Sequence, residues 1–190
     1  QRAGLPLWGQ AFLARAMVAS RGDRAQIDAL VGLLRARLVK KGAGTLALSG
    51  NNSFNGSTLV EGGVLRVNGL HSGTGLITAS SGATLGGSGI LTGDTSVADA
   101  VLSPGAAAAT GGTFAFGNLA LGAASTLEFD LADPFSLADD VLSVGGTLTL
   151  AGVLNVNELA GFDAPSRMIG EKWLLATYGG PALGTHALTL

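Results

Sequence analysis

The chain has 190 residues, a formal net charge of −2, an apolar fraction of 47% and 31 glycines. The apolar content is too high for a Gly-rich disordered chain, so the sequence can bury a core, and the absence of cysteine excludes disulfides and thiolate metal sites. It has no apolar run near the roughly 20 residues that a membrane-spanning helix needs, and Arg15 interrupts any signal-peptide pattern in residues 1–20.

Charge divides the chain near residue 41. Residues 1–41 hold eight Lys and Arg residues against Asp23 and Asp28, which is a net charge of +6 (8 − 2). The remainder holds three basic residues against eleven acidic ones, a net charge of −8 (3 − 11). This break predicts two structural regions, 1–40 and 41–190.

Residues 1–40 are predicted to form a short α-helical segment, a helical hairpin. The apolar residues of 22–40 recur at helical spacing and would form one stripe, made of Ile27, Leu30, Val31, Leu34 and Leu38. Asp23 is a plausible N-cap, and residues 7–19 show a second helical face. We interpret the hairpin as a cap or as the tail of an upstream domain. A membrane or nucleic-acid contact of its basic face is the less favoured alternative, because no aromatic residues interleave with the arginines, so we expect no nucleic-acid partner.

From residue 42 the hydrophobic period becomes that of β-strands. Apolar residues alternate with small or polar ones in five short units, "GTLALS" (44–49), "GVLRVN" (63–68), "GNLALG" (117–122), "GTLTLA" (146–151) and "GVLNVN" (152–157). Gly44, Gly63 and Gly82 are equally spaced along the chain, although the third unit, "GATLGG", has its leucine shifted by one position. Their spacing is that of a solenoid of stacked coils, in which a repeat comprises about 20 residues or more. A β-sandwich is the alternative, and the equal spacing favours the solenoid.

After residue 93 the spacing of the units becomes irregular. The interval from Gly117 to Gly146 is clearly longer than the interval from Gly44 to Gly63. We attribute the difference to loops inserted at 103–112 and 131–140.

The first repeat carries a specific resemblance. "LVKKGAGTLALSGNNSFNGSTLVEGGVLRVNG" resembles the autotransporter-associated β-strand repeat of Gram-negative type V secreted proteins, which runs from K-x-G-x-G-T-L through N-x-aromatic-x-G to G-x-L-x-V-N. The matching positions are Lys41, Gly42, Gly44, Thr45, Leu46, Leu48, Gly50, Asn52, Phe54, Gly56, Gly63, Leu65, Val67 and Asn68. The resemblance extends over roughly residues 41–190, and the helical pattern of residues 1–40 departs from it.

The resemblance implies a mainly β protein, a right-handed parallel β-helix over 41–190. It implies a passenger segment at the cell surface, or secreted, that displays an effector, assists export folding and is joined to a C-terminal outer-membrane β-barrel of the same polypeptide. Two alternatives stay open: an adhesin that binds a host surface receptor, and the pedestal of an upstream serine protease or esterase domain.

The sequence predicts no catalytic, cofactor-binding or metal-binding residues. It has no G-x-S-x-G segment, and His71 and His186, the two histidines, stand in strand or turn context without a partner at ligand spacing, so we interpret them as surface or edge residues. An acidic run, Glu128, Asp130, Asp133, Asp139 and Asp140, lacks the spacing of known calcium loops and is interpreted as a solvated loop, with Asp140 opening the next strand.

The tripeptide Arg21–Gly22–Asp23 is a candidate integrin-type motif. A tripeptide occurs often by chance, and Asp23 has a competing role as a helix cap. The motif therefore enters only as the site of the adhesin alternative.

Overall fold

A computed structural model describes residues 37–105, 111–131, 139–158 and 174–183 of the chain. The helices predicted within 1–36 lie outside these residues, and the division of the chain at residue 40 stays a prediction. Every regular element in the described ranges is a β-strand.

Sixteen strands follow one another in the described residues. They are β1 (Arg37–Lys40), β2 (Thr45–Leu48), β3 (Ser57–Val60), β4 (Val64–Val67), β5 (Leu70–His71), β6 (Ile77–Ala79), β7 (Ala83–Gly87), β8 (Ile90–Val97), β9 (Ala100–Pro104), β10 (Gly112–Leu121), β11 (Thr126–Leu131), β12 (Asp140–Val144), β13 (Leu148–Thr149), β14 (Val153–Glu158), β15 (Ala176–Tyr178) and β16 (Ala182–Leu183).

The strands form two sheets that the chain visits in turn. The ten-stranded sheet has the order β1-β3-β6-β8-β10-β12-β15, with β5, β13 and β16 paired beside this path, and the six-stranded sheet has the order β2-β4-β7-β9-β11-β14. Every pair of these strands is parallel. One coil is thus a passage through both sheets, and successive coils stack. The prediction of a parallel β-helix is confirmed, and the β-sandwich alternative is wrong.

The core lies between the two sheets and follows from the two-residue period of the strands. In β12 buried residues alternate with half-buried ones, and in β8 buried residues alternate with exposed or half-buried ones. Since successive side chains of a strand point to opposite faces, each strand contributes every second residue to the interior. Buried Leu, Val, Ile, Ala and Phe side chains form one continuous cluster from Val60 to Leu148.

The shifted leucine of the third unit keeps its place in the stack. Leu46 pairs with Leu65, and Leu65 pairs with Leu85, although the second of these steps is longer by a single position. The additional position lies in the turn before β7, where Ser81 and Gly82 both have positive φ, 57° and 68°. Two consecutive left-handed residues accommodate the additional length outside the strand, so the leucines stay in register.

Residues 37–40 correct the predicted end of the second helix. They form β1, which pairs in parallel with β3, with Leu38 opposite Thr58 and Lys40 opposite Val60. Leu38 and Lys40 stand at alternate positions, so both can share one face of a strand. The β-structure therefore includes residues 37–40.

The coils lengthen toward the C-terminus at one corner. The number of residues between paired positions of successive coils increases from Leu85 toward the C-terminus. It is smallest from Leu85 to its partner Leu102, larger from Leu102 to Leu127, and larger still from Leu142 to Ala176. The additional residues fall where the chain leaves the six-stranded sheet for the ten-stranded one, as between β9 and β10 and between β11 and β12. The predicted insertions within 103–112 and 131–140 lie at this corner, although 103–104 belong to β9 and 112 begins β10.

Candidate functional site

The interior of the stack is the most regular chemical feature of the described residues. A column of leucines, here called the leucine ladder, runs through the six-stranded sheet with one leucine per coil: Leu46, Leu65, Leu85, Leu102, Leu127 and Leu154. The four inner members are at most 9% exposed, and the two end members pack against them half-buried. Each step buries one aliphatic side chain on the next coil, which stabilises the stack along its axis.

A buried lysine closes the first corner of the stack. Lys40 is 7% exposed, and its Nζ donates hydrogen bonds to the carbonyl oxygens of Gly42 at 2.7 Å, Gly62 at 2.8 Å and Lys41 at 3.2 Å. An ammonium group has three donors, and each of them has a carbonyl acceptor here. Because Gly62 belongs to the next coil, Lys40 ties two coils together. The repeat pattern K-x-G-x-G-T-L, aligned on Gly42 and Gly44, has its lysine at residue 40, so the assignment of Lys41 to that position is wrong. Lys41 is exposed and pairs with Glu61 at 2.8 Å.

The corner around Lys40 requires glycine at residue 63. Gly63 has a φ of +63°, and a Cβ there would lie 2.5 Å from the carbonyl oxygen of Gly44 and 2.7 Å from Lys40 Nζ. Gly44 also begins a unit in the sequence, but a Cβ there would meet nothing within 4 Å. Only Gly63 is therefore demanded by the close approach of neighbouring coils.

Polar side chains link the coils on the outside of the stack. Asn118 donates from Nδ2 to Asp94 Oδ1 of the preceding coil at 2.8 Å, and its Oδ1 accepts from the Thr147 amide of the following coil at 2.8 Å. Asn157 donates to Asp130 Oδ1 at 3.0 Å in the same manner. Such contacts fix the register of successive coils from the solvent side.

His71 lies inside the stack, and its predicted position at the surface or an edge is wrong. The side chain is 2% exposed, and its ring lies 4.4 Å from that of Phe54 in the preceding coil. Nδ1 is 3.2 Å from the Asn52 carbonyl oxygen, which can only accept, so Nδ1 carries the proton, and the buried Nε2 has no partner. Burial lowers the pKa of His71 from its ordinary value of 6.5, and the Asn52 contact opposes this shift to a smaller extent.

Asp140 is the second buried titratable group. It opens β12, as predicted, and is 1% exposed; its Oδ2 accepts a hydrogen bond from the Asp130 amide at 2.9 Å, and its Oδ1 has no partner. Burial is the main cause that raises the pKa of Asp140 to about 7. Glu128 and Asp130 lie in β11, so the interpretation of the acidic run as a solvated loop is wrong for these residues and for Asp140.

The remaining candidate site residues lie in parts of the chain that the structure does not describe. Arg21, Gly22, Asp23, Asp133 and His186 lie outside the described residues. Among the described residues, no group of three or more His, Asp or Glu side chains could hold a metal ion. In the same part of the chain, no helix is long and apolar enough to cross a bilayer.

No direct signal in the sequence marks Lys40, His71 or Asp140 as interior residues. Inward positions are recognised by their apolar alternation, and a polar side chain at such a position interrupts that alternation. These three residues therefore become recognisable only from the contacts that neighbouring coils make with them.

Comparison with known proteins adds two similarities. Residues 38–67 match the model of the passenger-associated-transport-repeat family, and this range contains the Lys40 corner and the strands β2 to β4. Over 128 residues the chain is 42% identical to "Adhesin BmaC autotransporter" of Brucella suis biovar 1 (strain 1330); the match covers 64% of this chain and 4% of that protein. No solved structure matches the chain significantly.

Parallel coils that stack around an aliphatic interior define the chain as a repeat protein of the β-solenoid class. The first two coils of the described residues contain the segment that matches the transport repeat. The chain carries a passenger-associated transport repeat at residues 38–67 and is similar over 128 residues to an autotransporter adhesin, which bears out the resemblance of its sequence to an autotransporter passenger. It accordingly belongs to the cell surface, or to the secreted proteins, of a Gram-negative bacterium.

Proposed function

We propose that the chain is a stalk segment of the passenger, which displays an effector away from the outer membrane and assists folding during export. The observation that supports this proposal is the unbroken leucine ladder through six coils. Neighbouring parallel strands lie about 4.8 Å apart, so the five steps from β2 to β14 correspond to about 24 Å of axial length. A column with a continuous packed interior suits a spacer.

The same stacking suits folding during export. In a solenoid each coil contacts only its neighbours, so burial is gained coil by coil as the chain becomes available. Each added coil would then oppose the return of the chain through the pore. A C-terminal outer-membrane β-barrel of the same polypeptide is the partner that this proposal requires, and the proposal gives the segment itself no catalytic step.

The stalk function is tested by breaking the ladder in the full-length passenger. Leu102→Asp places a charge in the closed interior, because Leu102 is 0% exposed, whereas Leu76→Asp changes a leucine that is 50% exposed. With an N-terminal epitope tag, we expect Leu102→Asp to reduce the tag at the bacterial surface at least about threefold relative to total synthesis. Leu76→Asp should leave the ratio unchanged. Equal surface display of the two variants would contradict the proposal.

Adhesion is a second candidate function, supported by the 42% identity to a protein named as an adhesin. The residues that we propose for it are Arg21, Gly22 and Asp23. Asp23→Glu keeps the charge but lengthens the side chain, and it should reduce attachment of bacteria to integrin-bearing cells; Asp28→Glu is the matched control. If both variants attach like the wild type, the tripeptide has no part in adhesion.

A further inference from the structure

The Asp140 carboxyl joins the two sheets at the corner where the coils lengthen. It stands at the first residue of β12 in the ten-stranded sheet, and its Oδ2 accepts from the amide of Asp130, near the end of β11 in the six-stranded sheet. The two residues are separated by the connection between β11 and β12. This hydrogen bond of 2.9 Å therefore links the two ends of that connection.

The surroundings of Asp140 disfavour a negative charge. The side chain is 1% exposed, and its Oδ1 is buried without a hydrogen-bond partner. The charged groups that act on it are Asp130 of β11, Asp139 of its own coil and Arg66 of β4, two negative charges against one positive. An ionised carboxylate with one unsatisfied oxygen is costly to bury, whereas a neutral carboxylic acid is much less so.

We propose that Asp140 is a proton-operated lock, which holds the end of β11 against the start of β12 as a neutral carboxylic acid and loosens this contact when ionised. The geometry distinguishes the two states: both forms provide the acceptor for the Asp130 amide, but Oδ1 is buried without a hydrogen-bond donor, which disfavours the ionised form. The lock biases the C-terminal coils toward the packed state in acid and toward opening at neutral and higher pH.

The direction of the pH dependence of stability follows from the direction of the pKa shift of Asp140. Burial raises the pKa of Asp140 from its ordinary value of 3.8 to about 7, so the folded state keeps a proton that the unfolded chain has lost. The stabilisation by the neutral form is fully present below pH 3.8, decreases as the pH rises through this interval, and is lost above about pH 7.

The lock is tested on the full chain by hydrogen exchange of the Asp130 amide, the group that Asp140 holds. After correction for intrinsic exchange, we expect protection of this amide to fall at least about tenfold between pH 5.5 and pH 8, since each unit of pKa shift corresponds to a factor of about ten. Asp140→Asn keeps an acceptor oxygen without a titrating group and should make the protection independent of pH. Asp99→Asn, at an exposed carboxylate, should behave like the wild type.

Two results would overturn the proposal: constant protection of the Asp130 amide in the wild type, or the same fall in Asp140→Asn. If Asp140→Asn does not fold, the carboxyl carbon of Asp140 is titrated by NMR in the wild-type chain. A midpoint near 7 that coincides with the change at the Asp130 amide supports the lock, and a midpoint near 4 refutes it.

Discussion

At the scale of single residues, the solenoid buries a charge where its backbone cannot satisfy itself. The corner after β1 turns three carbonyl oxygens, of Lys41, Gly42 and Gly62, toward one point, and the Lys40 ammonium group meets all three. A lysine is long enough to cross from one coil to the next while its aliphatic stem stays among apolar neighbours. The burial of Lys40 is thus a consequence of the corner's own carbonyl groups.

Replacing this lysine should cost far more than replacing its neighbour. Lys40→Met keeps the stem but leaves three carbonyl groups without their donor, and we expect it to lower the free energy of unfolding by about 2–4 kcal/mol, since hydrogen bonds to charged groups are worth about 1.5–3 kcal/mol each and are not additive. Lys41→Met removes an exposed ion pair, and the cost should stay below about 1 kcal/mol. Urea denaturation of both variants measures the difference, and similar losses would show that the corner does not depend on Lys40.

His71 should make the N-terminal coils sensitive to acid, opposite in sign to Asp140. Its folded pKa lies below the ordinary 6.5, so the unfolded chain binds the proton first, and stability decreases as the pH falls below 6.5. We expect the Asn52 and Ser72 amides, which hydrogen-bond across neighbouring coils at 2.8 Å, to lose exchange protection between pH 7 and pH 5. His71→Phe, which removes the titrating group, should abolish this loss. An unchanged pH response in His71→Phe would contradict the assignment.

At the scale of strands, one step of the leucine ladder can be compared with a leucine outside it. Leu85 is 0% exposed between Leu65 and Leu102, while Leu76 is 50% exposed. Leu85→Ala removes buried contacts to two coils and should destabilise the chain by about 2–5 kcal/mol. Leu76→Ala should change stability by less than about 0.5 kcal/mol. Thermal or urea unfolding of the two variants provides the measurement, and comparable effects would mean that the ladder is not the main source of stability.

The strands that could be predicted from the sequence are those whose apolar period is intact. The units at 44–49 and 63–68 form β2 and β4 because Leu46 and Leu65 alternate with small or polar residues and glycine precedes them. The long strands were not predicted as single elements. β8 pairs with both β5 and β6, and β10 pairs with both β12 and β13. One long strand therefore lies beside two shorter ones, and the break between the two shorter strands is absent from the long strand.

The polar interior residues could not be predicted for a related reason. A histidine in "GLHSGTG" has no local feature that distinguishes an inward position from an outward one. Its burial depends on Asn52 and Phe54, which lie one coil earlier in the stack. The position of Asp140 depends likewise on the Asp130 amide, which lies on the other side of a connection whose length differs from coil to coil. Such contacts are properties of the stack and become visible only when the register of the coils is known.

At the scale of the whole molecule, the two corners of the coil differ in how much sequence they accept. Within the described residues, each connection from the ten-stranded sheet to the six-stranded one is short, as between β3 and β4, β8 and β9, or β13 and β14. In the opposite direction it grows from the short link between β7 and β8 to the much longer one between β14 and β15. The additional sequence of the longer coils therefore enters at one edge of the stack, and the paired strands on both sides keep their register.

This asymmetry predicts where the chain tolerates insertion. A short Gly and Ser segment added between Leu131 and Asp140 lengthens an existing connection, and because loop closure costs only about 0.6 kcal/mol per doubling of length, the loss of stability should stay below about 1 kcal/mol. The same segment between Ala98 and Asp99 interrupts a corner in which the Ala98 amide bonds to Ala79 at 3.0 Å and the Asp99 carbonyl accepts from Gly82 at 2.8 Å. That insertion should cost at least about 2 kcal/mol, because two backbone hydrogen bonds to the neighbouring coil are broken. Urea unfolding of the two insertion variants measures the difference in stability.

Equal losses of stability would mean that the short corner is not a structural requirement of the stack. A larger loss for the insertion between Ala98 and Asp99 would identify the long corner as the edge at which sequence can be added while the interior column stays continuous.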